Sequence, residues 1–322
     1  MPAVWTALGR VDSADLGLVL PHEHLFINMM RERRGDGLIN DPALVTGEVE
    51  QFRRLGGRTI VDLTSAELTA GSTPDATPGT PSTSRDPANV RAVQDVARAT
   101  GVHVVLGTGH YRDPYLDRGW FDRHTVEAIA EGIVRDLTDG FPGTKVRAGI
   151  IGEIGADQWY ISALEERSFR AAARASHRTG AAVYTHAARW PVGLAQLDLL
   201  LAEGADPARI AVGHCDTVAL DGYHEDVATR GAYVGIDTIN TANAYEVDRR
   251  VALVMRLVRG GHLDRILLSQ DVCLVSQLRG HGGGGYTFVQ RDFRERLLAA
   301  GLTAEEFGHI TEVNPSRLVA SP

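Results

Sequence analysis

Cysteine, lysine and long apolar runs are the scarce features of this chain, and each shortage closes off a class of protein. Two cysteines, Cys215 and Cys273, in 322 residues give no disulfide framework. The opening residues also lack a charged segment leading into an apolar core, so the expectation is a cytoplasmic protein. Lysine occurs once, at Lys145, so the 33 basic residues are almost all arginine and are outnumbered by 41 acidic ones. A net charge of -8 without a basic cluster argues against a nucleic-acid or anionic-membrane partner. No apolar stretch approaches the roughly 20 residues of a membrane span. What is present is bulk: a chain of this length, 43% hydrophobic, can bury a barrel-sized core.

The rest of the chain is organised around Pro21-His22-Glu23-His24, which ends the apolar run Leu16 to Leu20. Strand side chains alternate faces, so His22 and His24 would project together and Glu23 the other way. Among 12 histidines such a pair alone is more readily two packed core groups than a metal site. The weight comes from recurrence. After Leu16 the sequence alternates β-branched runs with amphipathic segments, among them Asp41 to Leu55, Pro87 to Thr100, Asp122 to Thr138, a long one from about Ala163, Val192 to Glu203 and a closing one near Phe288 to Ala300. Glycines such as Gly101, Gly180 and Gly204 stand where left-handed helix caps are expected. Eight βα units predict a (β/α)8 TIM barrel with a short N-terminal β extension, Val4 to Val11, and a single domain over 1–322. No G-x-G-x-x-G follows the first run to suggest a dinucleotide site. The irregular stretch Ser65 to Asp86 reads as a lid or a disordered loop at the end of the barrel where active sites occur.

The last residues of the runs are His22 and His24, Glu153, His186, His214 and Asp271. Any one of them could simply mark where a strand leaves the core. Together, on a fold whose strand ends converge on one mouth, they predict a metal centre. Six ligands exceed one tetrahedral zinc, so two divalent ions sharing a carboxylate is the economical arrangement, and Glu153, between the pairs in chain order, is the natural bridge. Zinc is the first expectation, with manganese, cobalt or iron(II) as alternatives.

The motifs Pro21-His22-Glu23-His24-Leu25, Gly149 to Gly155, Thr185-His186, Gly213-His214-Cys215-Asp216, Ser269 to Cys273, Gly282 to Tyr286 and Asn314-Pro315 resemble the phosphotriesterase family of the amidohydrolase superfamily, in particular its phosphotriesterase homology and phosphotriesterase-related branch. The resemblance implies a metal-dependent hydrolase with one ion held by His22, His24 and Asp271, the other by His186 and His214, and a hydroxide bridging them. It also implies a homodimer. Where other members carry a carboxylated lysine, this chain has Glu153. Lys145 cannot substitute, since eight residues of strand at about 3.3 Å each place it near the far end of the barrel. The Asp-His proton relay of the paraoxon-degrading members falls on Thr217 and Thr238, neither of which carries protons at neutral pH.

The expected activity is therefore cleavage of a carboxylic ester, lactone or amide in a small-molecule substrate, with Asp271 passing the proton to the leaving group. Phosphotriester or phosphonate ester hydrolysis is the first alternative, and a non-enzymatic binding protein that keeps the barrel the second. Candidate substrate contacts are His110 and Tyr111 after the third run, Arg189 and Trp190 after the fifth, and Arg279 with His281 before the glycine run. That run, Gly282 to Gly285, lacks the Lys-Ser/Thr of a P-loop and reads as a mobile lid. Cys215 and Cys273 read as packing residues.

Overall fold

The structure is a computed structural model and describes residues 2–76, 83–240 and 243–320. Its centre is an eight-stranded parallel sheet in sequential order. The strands are β1 Leu18–Glu23, β2 Gly57–Asp62, β3 His103–Thr108, β4 Ile150–Gly155, β5 Val183–His186, β6 Ile210–Gly213, β7 Tyr233–Ile236 and β8 Ile266–Leu268. The helices outside it are α1 Pro42–Arg54, α2 Pro87–Thr100, α3 Val126–Thr138, α4 Ala163–Thr179, α5 Gly193–Ala202, α6 Tyr223–Thr229, α7 Ala244–Arg259 and α8 Arg294–Ala299. Between β8 and β1 the ring is drawn together by the His22 N–H donating to Ser269 Oγ (3.1 Å) and the Asp271 N–H donating to the His22 carbonyl (3.3 Å). This is the (β/α)8 barrel that the alternation of runs predicts.

Local chemistry explains the element ends. Asp41 and Asp86 cap α1 and α2 through their side chains, each with proline in the first turn, and Ser162 with Glu165 forms a capping box on α4. Gly101 (φ 69°) and Gly180 (φ 73°) end α2 and α4 in the left-handed conformation. Inside the barrel, Val19, Val61, Val105, Ile150, Tyr184, Ala211, Tyr233 and Leu267 contribute one buried side chain per strand. Val4, Leu318 and Val319 join the same cluster and plug the amino end. With the lumen filled from below, the carboxyl ends of the strands are left to form a mouth.

Four features depart from the sequence expectations. The N-terminal extension is a hairpin, Ala3–Thr6 against Gly9–Asp12, turning at Ala7 and Leu8 with Gly9 taking the positive φ (123°) at the exit from the turn. The helix expected from Asp122 is broken: Arg118–Arg123 is separate, and Thr125 caps α3 by accepting from the Ala128 N–H. The closing helix begins with a wide π turn, Val289–Phe293, before α8. Beyond it, Ala304–Gly308, His309–Val313 and Asn314–Val319 add helical turns that the sequence reading did not anticipate; there Asn314 Nδ2 donates to the carbonyls of Leu263 (2.8 Å) and Ile266 (2.9 Å).

The stretch read as a lid, Ser65 to Asp86, includes residues 77–82, which lie outside the described residues. Its described parts are anchored. Ser65, Ala66, Leu68, Thr69, Ser72 and Arg85 are buried. The Arg85 guanidinium reaches Asn89 Oδ1 (2.9 Å), Asp62 Oδ1 (3.1 Å) and the carbonyls of Asp62 (3.0 Å) and Thr64 (2.7 Å).

Candidate metal centre

Each strand end delivers its side chain to the mouth by a specific backbone device. The pairing of β1 with β2 shifts register between Leu20 and Glu23, and there the rings of His22 and His24 lie with centroids 5.5 Å apart. Glu153 leaves β4 beside His186 at the end of β5, the two strands being in register at Gly155 and His186. His214, one residue past β6, and Asp271, three past β8, have positive φ of 57° and 49°, which turns both side chains back over the barrel.

All six side chains singled out from the sequence therefore come together. His24 Nε2 lies 3.2 Å from Asp271 Oδ1 and 3.9 Å from Glu153 Oε2; His22 Nε2 is 3.7 Å from both carboxylates. On the other side of Glu153, Oε1 is 2.8 Å from His214 Nε2 and 2.5 Å from His186 Nδ1, with those two nitrogens 2.8 Å apart. Donor atoms about 2.1 Å from a common ion stand roughly 3–3.5 Å from one another, so the first group has the spacing of a coordination shell and the second is a little tighter. His22 Nε2 is fully buried and has no hydrogen-bond partner, an orphaned polar atom aimed at the space between Glu153 and Asp271. These residues fit a pair of divalent ions.

Electrostatics point the same way. Burial opposes charge on His22, yet Glu153 and Asp237 raise its pKa to about 10. His214 is likewise penalised by burial but lifted well above the ordinary imidazole range by Asp237 and Glu153. His186 falls below that range, because burial and the neighbouring His214 outweigh the pull of Glu153. Glu153 resists burial and is held well below the usual carboxylate range by His186 and His22. His22 and His214, packed against buried carboxylates, thus retain protons that a metal ion would displace.

One organising residue was missed. Asp237, directly after β7 and fully buried, accepts from His22 Nδ1 (3.0 Å), His214 Nδ1 (2.9 Å), the His214 N–H (2.8 Å) and the Tyr184 hydroxyl (2.7 Å). By accepting the Nδ1 protons it leaves Nε2 of both rings as the atom presented to a metal ion. It ends the seventh run as Glu153 ends the fourth, so the signal was present. His24 is oriented similarly by Thr64, whose hydroxyl lies 3.0 Å from Nδ1. Glu23 points away from the centre, as the alternation predicts, and accepts from Ser269 Oγ and the Gln270 and Val272 N–H groups, pinning the chain that carries Asp271.

The centre floors a cavity of about 540 Å³. Of the candidate substrate contacts, Tyr111, Arg189 and Trp190 line it. The other three do not. His110 is turned back against Trp120 and Phe121 and bonds Glu67 Oε1 (2.6 Å). Arg279 donates to Thr287 Oγ1 (3.2 Å), and His281 is exposed outside the cavity. The wall instead includes Arg112, whose fork engages Glu32 and Asp157 and so ties three loops together over the Tyr111 and Tyr115 rings. Burial pushes the Cys215 and Cys273 thiols well above their ordinary pKa, as expected of packing residues. Thr217 and Thr238 line the cavity with their hydroxyls committed, to the His214 carbonyl (2.7 Å) and to Asp216 Oδ2 (2.5 Å).

Residues 2–76 and 79–319 match the Phosphotriesterase family. The phosphotriesterase homology protein of Escherichia coli is 32% identical over 303 residues, covering 94% of this chain and 97% of that protein. Its crystal structure, with phosphate in the active site, superposes with a TM-score of 0.85 over 95% of this chain and 99% of that one. An aryldialkylphosphatase of Saccharolobus solfataricus is 32% identical over 82% of this chain and 79% of its own length. A lactonase from Listeria monocytogenes is 25% identical with a TM-score of 0.83, covering 98% of both chains. This chain belongs to the phosphotriesterase family and is a metal-dependent hydrolase.

Proposed function

We propose that the chain is a binuclear hydrolase of carboxylic esters, lactones or amides, with residues 1–322 acting as one catalytic domain. In this reading His22, His24 and Asp271 would hold one ion and His186 and His214 the other, with Glu153 as the carboxylate they would share. Zinc suits the nitrogen and carboxylate donors, with manganese, cobalt or iron(II) as alternatives. The observation that carries the reading is the convergence of six metal-ligand side chains on one spot, including the buried, unpartnered Nε2 of His22. When bound, such a pair supplies a water acidified to the neutral range and polarises the substrate's carbonyl or phosphoryl oxygen.

The chain's own residues supply orientation and proton transfer. Asp271 has 18% of its side chain exposed against 2% for Glu153, so it is the carboxylate with access to the cavity. It accepts the proton of the attacking water and returns it to the leaving group. Thr217 and Thr238 leave no titratable group where the paraoxon-degrading members carry their relay, which supports carboxylic over phosphotriester substrates, as does the similarity to a lactonase. Tyr111, Arg189 and Trp190 contact the substrate from the wall. Phosphoryl ester hydrolysis stands as the second reading because an aryldialkylphosphatase is 32% identical.

The test is a panel of lactones, N-acyl amino acids and aryl phosphotriesters assayed on protein reconstituted with zinc or manganese. Turnover of the carboxylic substrates is expected; turnover of phosphotriesters alone would reverse the ranking. The reading includes a homodimer and a cytoplasmic place of action, which light scattering and cell fractionation would check.

A further inference from the structure

Among the described residues, four that are not glycine have positive φ: Arg34, Arg189, His214 and Asp271. L side chains avoid this conformation, and where the surrounding structure enforces it the reason is often functional. His214 and Asp271 belong to the metal set described above. Arg189, at φ 70°, lies on the same rim, in the loop after β5. Its backbone is held by a built contact: the Arg189 N–H donates to Thr217 Oγ1 at 2.7 Å, and that hydroxyl donates to the His214 carbonyl at 2.7 Å. The loop conformation that presents Arg189 is thereby tied to the residue that ends β6.

The charge inventory of the cavity wall gives this arginine a purpose. Two of the lining carboxylates, Glu32 and Asp157, are both engaged by Arg112. The other two, Glu153 and Asp271, face the histidines. Arg33 and Arg189 line the same cavity, and among the described residues neither guanidinium has a carboxylate or hydrogen-bond partner; of the two, the one with a backbone fixed at positive φ by a contact to Thr217 is Arg189. Beside it, Trp190 is 42% exposed and offers an apolar face at the cavity wall. A cation with an unused planar donor fork, next to an apolar surface, is matched to a substrate with a short apolar linker ending in an oxyanion.

We propose that Arg189 recognises a terminal oxyanion, a carboxylate or sulfonate, on the non-reacting end of the substrate, so that the hydrolase selects anionic esters or amides over neutral ones. The inference rests on the hydrolase reading of the same cavity. It makes Arg189 a specificity-determining residue and Thr217 the residue that positions it.

The test uses the full-length, zinc-reconstituted protein and matched N-acyl substrates of one length, ending in a carboxylate, a sulfonate or a neutral carboxamide. Wild type should favour the charged members in kcat/KM. Arg189→Gln should lower kcat/KM for the charged members by at least tenfold more than for the carboxamide, chiefly through KM, since charge-assisted hydrogen bonds are worth roughly ten- to hundredfold. Arg189→Lys should recover part of the loss. Comparing the carboxylate and sulfonate arms identifies the preferred oxyanion. Equal losses on charged and neutral members, or no preference in wild type, would overturn the proposal. Should none of the three be turned over, calorimetric binding of the carboxylate compound to chelator-treated protein decides the matter: binding that Arg189→Gln weakens tenfold supports Arg189 while the hydrolase reading fails, and binding indifferent to the substitution overturns it.

Discussion

Replacing Asp237 by asparagine changes one atom of a buried carboxylate and should remove a metal ion. The two carboxylate oxygens have different duties: Oδ1 accepts from both the N–H and the Nδ1 of His214, and Oδ2 accepts from His22 Nδ1 and the Tyr184 hydroxyl. The backbone N–H of His214 cannot reverse its role, so the amide oxygen must stay on that side. The amide nitrogen then faces His22 and donates to Nδ1, which places the ring proton on Nε2, the atom aimed at Glu153 and Asp271. Tyr184 adapts by rotating its hydroxyl. Loss of a group that orients a metal-binding histidine costs roughly 10- to 100-fold in affinity, about 1.4–2.8 kcal/mol. The loss should fall first on the ion assigned to His22, His24 and Asp271, with the ion at His186 and His214 less affected. Titration of zinc against a competing chelator resolves the two binding steps. Asp237→Asn protein that binds both ions with wild-type affinity would refute the tautomer argument.

Asp271→Asn should abolish turnover on every substrate while most of the metal stays bound, as read by kcat alongside metal analysis; retained activity would remove Asp271 from the proton path. Stability should also carry a specific pH signature from Asp136, on α3, whose carboxyl is raised by burial from 3.8 to about 6 despite hydrogen bonds from Thr108 and Ser84. A raised acid favours the fold when protonated. Its contribution is therefore complete below about pH 4, is lost as pH rises to about 6, and totals about 3 kcal/mol for a difference of 6 − 3.8 = 2.2 units. Urea unfolding at pH 4.5 and 7.5 should show the wild type losing about 2 kcal/mol more stability than Asp136→Asn over that interval, and an identical change in both would sink the assignment.

Much of this architecture was legible because the barrel repeats one rule: an apolar run, a ligand-type residue, a helix closed by glycine. The rule locates His22, His24, Glu153, His186, His214 and Asp271 without knowledge of any contact, since strand ends on a closed parallel barrel can only meet at one rim. Applied without exception it would also have flagged Asp237, which was passed over because a single carboxylate ending a strand looks like an ordinary exit from the core. The cavity wall was far less legible. Arg112 acquires its role from Glu32 and Asp157, 80 and 45 residues away, and nothing local distinguishes it from a solvated arginine. His110 looks like a mouth residue by position, but Glu67 and the Trp120 and Phe121 rings hold it away from the cavity. The stretch after β2 reads as loose from its composition, yet Arg85 at its end is buried in the core. In each case the deciding contact is long-range, and short-range pattern carries no trace of it.

The central claim is that six side chains from five strand ends hold two divalent ions at one rim. Metal analysis of the purified protein after equilibration with zinc or manganese tests it most directly. Two ions per chain, falling to one or fewer when Glu153 is replaced by alanine, is the predicted result. Fewer than one ion per chain in the wild type, or two ions retained without Glu153, would contradict it.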